Sequence, residues 1–126
     1  WAESEALVRK TIDEITAPYG VTAEVSYVRG VPPVVNETVA TRILGEAIDV
    51  VVGPDNLFST AQSLGGEDFA WFVEQVPGAM ARLGTRTPGG PTYDLHQGDL
   101  QVDERAISLA AKLLSVASLR SLVTNS

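Results

Sequence analysis

Cysteine is absent from the 126 residues, so they contain no disulfide framework, thiol nucleophile or thiolate metal site. Cations are scarce: nine Lys and Arg face sixteen Asp and Glu, a net charge of −7. Nucleic acids and anionic membranes need a basic face, so this balance argues against both as partners. No apolar run approaches the roughly 20 residues that span a bilayer, and no charged-then-apolar leader opens the chain. The motif G-x-S-x-G is missing, as is a phosphate-cradling glycine loop, which excludes a nucleophile elbow and a P-loop. There is no internal repeat and no low-complexity tract. The missing cysteine and leader point to the cytoplasm. The opening Trp1-Ala2-Glu3, without an initiator Met, reads as a piece of something longer.

What is present is one domain's worth of globular sequence, 44% hydrophobic and 20% charged, long enough to bury a core. Leu7, Val8, Thr11, Ile12 and Ile15 recur at helical spacing, with Ser4 placed as an N-cap, until Pro18-Tyr19-Gly20 stops the helix. Val21, Ala23, Val25 and Tyr27 alternate with polar residues and predict a half-buried strand. Gly30-Val31-Pro32-Pro33 breaks regular structure and marks a domain crossing, dividing residues 1–30 from 31–126. A second helix is expected after Asn36, through Ile43, Ala47, Ile48 and Val51, with Asn36 as its N-cap. A short strand follows at residues 57–60, then a compact helix through Phe69, Phe72 and Val73, and a buried strand at residues 79–83. Residues 84–91 form a Gly/Pro-rich loop. The last helix begins near Asp103 and buries Ala106, Leu109, Ala110, Leu113, Leu114 and Ala117. Helices alternating with short strands favour an α/β layer arrangement.

His96 is the only histidine, in Tyr93-Asp94-Leu95-His96 just past the loop. A neutral imidazole is a common zinc ligand, yet a catalytic zinc usually takes three protein ligands. From spacing alone a surface or hydrogen-bonded core histidine is the plainer reading. Gly65-Gly66-Glu67-Asp68-Phe69 joins a glycine pair to a helix start. Glycines allow close backbone approach to a ligand, and free N–H groups there attract anions. A turn followed by acidic residues that complement the helix dipole explains the same pattern more simply. Arg82 and Arg86 flank Gly84 and have the chemistry to bind a carboxylate, or are solvated.

The blocks gain meaning in combination. Val31-Pro32-Pro33-Val34-Val35-Asn36, Gly65-Gly66-Glu67-Asp68-Phe69, Val76-Pro77-Gly78, Leu83-Gly84, Leu95-His96 and Val102-Asp103-Glu104 occur in that order. Over nearly the whole chain this resembles the C-terminal portion of the hippurate hydrolase and aminoacylase branch of the dinuclear metallopeptidases. Carboxypeptidase G-type enzymes and the plant indole-acetyl-amino-acid hydrolases belong to the same group. The resemblance implies a partial three-layer α/β catalytic domain of zinc-peptidase-like fold, preceded by part of an α+β lid that mediates dimerisation. Residues 1–30 would be the second half of that lid, and residues 31–126 the C-terminal part of the catalytic domain. By the same resemblance His96 is a metal ligand, while Gly65, Gly66, Glu67 and Asn36 border the substrate. After the histidine the family commonly reads Ser-Pro-x-Phe, whereas this chain reads Gln97-Gly98-Asp99-Leu100.

The implied intact protein is a homo-oligomer that hydrolyses the amide bond of an N-acyl amino acid or small peptide. It would use two divalent ions, zinc, manganese or similar. The general base and the remaining ligands would lie in an N-terminal half of the catalytic domain outside these residues. No catalytic residue is therefore assigned here, and the chain alone is expected to be inactive and to hold no metal stably. The competing reading is a non-catalytic dimerisation or interaction module.

Overall fold

Residues 1–124 are described by the computed structural model. Among these residues four α-helices form: α1 (Ser4–Thr16), α2 (Thr38–Val52), α3 (Phe69–Val73) and α4 (Arg105–Thr124). Short 3-10 turns follow α1 at Ala17–Tyr19 and α2 at Pro54–Asn56. Ser4 is the first residue of α1 and not its cap; its hydroxyl donates to the Trp1 carbonyl at 2.7 Å. Two i,i+4 ion pairs, Arg9–Glu5 at 2.9 Å and Lys10–Glu14 at 3.6 Å, support the helix surface. The helix ends where Pro18 enters the 3-10 turn and Gly20 takes φ 65, a left-handed conformation open to glycine at no side-chain cost.

In residues 21–27 the alternation is half right about the buried face and wrong about pairing. Val25 and Tyr27 are half-buried, as the pattern expects, but Val21 and Ala23 are exposed and no strand forms among the described residues. The segment instead lies along α1 through side chains. Arg9 Nη1 donates to the Val25 carbonyl at 3.1 Å, and the Ser4 and Tyr27 hydroxyls share a 2.8 Å hydrogen bond. Arg29 donates to the Ala2 carbonyl at 3.4 Å and lies 3.7 Å from Glu5. A ladder needs a neighbour with free backbone groups, and the mid-helix groups of α1 are spent on its own hydrogen bonds. The strands expected at residues 57–60 and 79–83 are likewise absent from the described residues. The described residues are thus helices joined by long irregular segments, without the three expected strands.

The expected N-cap of α2 moves by one residue. Glu37 caps it, accepting from Val39 N at 2.9 Å and Ala40 N at 2.8 Å. These bonds, Val39's foremost, hold the Glu37 carboxyl below its ordinary value. Glu37 N donates to the Gly78 carbonyl at 2.8 Å, and the Asn36 side chain turns to Met80 instead of capping.

The core lies between α2 and α4, the one pair of α-helices in the described residues that pack together. Ile43, Ala47 and Ile48 are buried on α2, and Ala106, Leu109, Ala110, Leu113, Val116 and Ala117 are half-buried on α4. At the far end the Glu46 carboxylate bridges Arg42 and Arg120, each at 2.7 Å, and is held below its ordinary value, Arg42's hydrogen bond foremost. Leu114, expected inside, is 64% exposed, and with Ile107 at 69% it marks an outward apolar face. α4 starts where Asp103 Oδ1 accepts from Arg105 N at 3.0 Å; the carboxylate also pairs with the Arg105 guanidinium. By length and composition alone α4 is apolar enough to cross a membrane, unlike the sequence-based expectation, although Arg105, Lys112 and Arg120 punctuate it.

The expectation of a substantial core also needs correction. Among the described residues the buried hydrophobic side chains are Ile43, Ala47, Ile48 and Ala70, joined by Pro32. The accessible surface is 10008 Å², where a compact chain of this size would expose roughly 6,500 Å². The excess is comparable to a large obligate interface. Its apolar part, including Val28, Phe58 and Leu64, is of the kind that covering polypeptide removes from water.

Candidate metal and substrate site

His96 sits in a turn with Leu95, its side chain exposed, at φ 68. Among the described residues no other non-glycine residue has positive φ. Left-handed backbone costs an L-residue about 1–2 kcal/mol, and such strain persists only where the surroundings hold it. Gln97 supplies that hold. Its Oε1 accepts from Asp94 N at 3.2 Å, and its backbone carbonyl accepts from Leu100 N at 3.2 Å. Gln97 stands where the resembled family commonly has Ser, and no spacing rule singled it out.

Gly65 and Gly66 lead into α3. A Cβ on Gly66 would lie 2.8 Å from Val31 Cγ2, closer than real Cβ atoms come, so any larger residue there would displace Val31 at the expected domain crossing. Gly65 N donates to Ser63 Oγ at 3.2 Å. Glu67 Oε1 accepts from Phe69 N at 3.3 Å, and Ala70 N donates to the Glu67 carbonyl at 3.0 Å. The block thus both packs against Val31 and satisfies the first donors of a helix.

Asn36 is joined to residues 78–80 by its amide and by its neighbour's N–H. No hydrogen bond or ion pair among the described residues links His96 to Gly65, Gly66, Glu67 or Asn36. Nor do three or more His, Cys, Asp or Glu residues gather there in a group able to hold an ion. His96 offers one exposed imidazole donor, so further ligands would have to come from elsewhere.

The residues before His96 form an ordered loop. Arg86 Nη1 donates to Thr92 Oγ1 at 3.0 Å, Gly90 N donates to the Thr87 carbonyl at 2.9 Å, and Gly89 takes φ 74. Asp103 N donates to the Thr85 carbonyl at 2.7 Å and ties the loop to the start of α4. An aromatic contact also escaped sequence reasoning: Trp1 meets Trp71 of α3 edge-on at 6.3 Å, with Arg29 5.1 Å over the Trp1 ring. These residues are 70 positions apart and no periodicity connects them.

The sequence profile of Peptidase family M20/M25/M40 matches residues 3–119. A putative glutamate–cysteine ligase of Rhodococcus jostii is 54% identical over 85% of this chain, which covers 14% of that protein. A probable hydrolase of Synechocystis is 37% identical over 92% of the chain and 31% of its own length. An N-acetyldiaminopimelate deacetylase of Brevibacillus brevis is 29% identical over 90% of the chain and 30% of its own length. The chain therefore spans about a third or less of these relatives. No solved structure matches. With a family profile covering almost the entire chain, and relatives named as hydrolases and deacetylases, the chain belongs to Peptidase family M20/M25/M40.

Proposed function

We propose that this chain is the C-terminal portion of a metal-dependent amidohydrolase acting on N-acyl amino acids or small peptides, and that it is inactive alone. The observation that carries the reading is His96, an exposed imidazole held on left-handed backbone in a chain of this family. In this reading one ring nitrogen of His96 holds one of two divalent ions, whose other donors belong to polypeptide outside these residues. Ions so held polarise an amide carbonyl and lower the pKa of water. Gly65, Gly66, Glu67 and Asn36 border the substrate, Asn36 with its amide already tied to Met80. Residues 1–30 belong to a lid, and residues 31–126 to a three-layer catalytic domain whose sheet covers the apolar surface left open here.

The test compares the 126-residue chain with the intact encoded protein, using zinc or manganese and a panel of N-acyl amino acids. The intact protein should turn over, and His96→Ala should weaken its metal retention. The chain alone should be silent, and an added N-terminal fragment should restore metal-dependent hydrolysis. Robust turnover by the chain alone, lost in His96→Ala, would overturn the claim of inactivity.

A second reading, a non-catalytic dimerisation module, is supported by the exposed face of α4 and the unpaired residues 21–27. Light scattering separates the two: a stable dimer indifferent to metal and to the N-terminal fragment favours the module.

A further inference from the structure

Six of the nine Lys and Arg residues, Arg9, Lys10, Arg29, Arg42, Arg105 and Arg120, are ion-paired with carboxylates. Among the described residues Arg82, Arg86 and Lys112 have no such partner, in a chain with sixteen Asp and Glu. Two of these three cations stand four positions apart on the segment that leads to His96. Arg86 is held as well as uncompensated. Its hydrogen bond goes to the hydroxyl of Thr92, a neutral acceptor, which orients the guanidinium without cancelling its charge. Thr92 is four residues before His96, so their Cα atoms are no more than about 14 Å apart by any path.

We propose that Arg86, positioned by Thr92, binds the free carboxylate of the substrate, with Arg82 adding to the local positive field. The identity of that substrate rests on the amidohydrolase reading above. An N-acyl amino acid carries a carboxylate close to its scissile amide, and an uncompensated guanidinium attracts it among residues whose net charge is −7. A guanidinium presents parallel N–H groups that match a carboxylate's two oxygens, which an ammonium does not. The Thr92 bond restrains a side chain that otherwise has many rotamers, so less order is lost on binding. Thr92 is a positioning residue in this scheme. Lys112, on α4, has no part in it.

The experiment measures binding by calorimetry to the chelator-treated intact protein, comparing N-acetylmethionine with its carboxamide, and then KM and kcat for both on the metal-loaded protein. The acid should bind roughly 10- to 100-fold more tightly than the carboxamide. Arg86→Met should remove that preference, Arg86→Lys should keep part of it, and Thr92→Val should narrow it. For the acid KM should rise while kcat holds. Lys112→Met makes the same charge change elsewhere and should leave the preference intact. A preference that survives Arg86→Met, or is absent from the wild type, overturns the proposal, as does an equal loss in Lys112→Met. A preference lost in Arg86→Met while neither compound is hydrolysed would sink the amidohydrolase reading and leave the carboxylate site standing.

Discussion

The side-chain amide of Asn36 exchanges two 2.9 Å hydrogen bonds with the main chain of Met80, donating to its carbonyl and accepting from its N–H. A side chain thereby does what a neighbouring strand would do for Met80, and it joins segments 44 positions apart. Glu37 N extends the seam to the Gly78 carbonyl. Asn36→Ala should cost about 1–2 kcal/mol, the net worth of two such bonds at an exposed site. The check is a lower urea midpoint at unchanged slope. Asn36→Asp keeps the acceptor but sets an oxygen against the Met80 carbonyl, so it should not rescue.

Gly66 leaves no free space for a side chain beside Val31. Gly66→Ala should destabilise the chain by about 1–3 kcal/mol, as overpacking does, because the new methyl meets Val31 Cγ2 at 2.8 Å. Val31→Ala should relieve part of that loss. A double-mutant cycle reads the coupling, and simple additivity would show that the two residues do not meet.

His96 stands in a backbone conformation that suits glycine better. His96→Gly should therefore raise the stability of the chain, by about 1 kcal/mol, while reducing metal retention by the intact protein. Thermal unfolding and metal analysis after dialysis measure the two effects. A loss of stability would mean that the imidazole earns its place by packing.

The Arg105 side chain, followed by its backbone N–H, holds the Asp103 carboxyl down to about 2, from 3.8. Because the folded value is depressed, the pair's contribution is fully present above the ordinary carboxylate value and drains away as pH falls through about 2. Carboxyl NMR should find Asp103 still ionised near pH 3, roughly a unit below the ordinary aspartate value. Arg105→Gln should return its midpoint toward that value.

The helices were readable in the sequence because they depend on local pattern. The stop at Pro18 and the 3.6-residue spacing of Ile43, Ala47 and Ile48 after Asn36 placed α1 and α2 to within a few residues. Strand pairing was not readable, since Val21, Ala23, Val25 and Tyr27 specify a face without specifying who lies beside them. The outward position of Leu114 escaped for a related reason. α4 is apolar on more than one face, and only its packing on α2 decides which face turns in. His96 was found as a chemical type, but its left-handed backbone and the buttress from Gln97 depend on a turn that Leu95-His96 does not announce.

The pairing of α2 with α4 also sets a schedule for the ribosome. Glu46 and Arg120 lie 74 positions apart, so at ordinary translation speeds roughly 4 to 15 seconds separate their synthesis. Throughout that interval Ile43, Ala47 and Ile48 of the nascent polypeptide await the helix that shelters them. A premature stop codon upstream of Arg105 makes the wait permanent, handing chaperones and proteases a bare apolar helix.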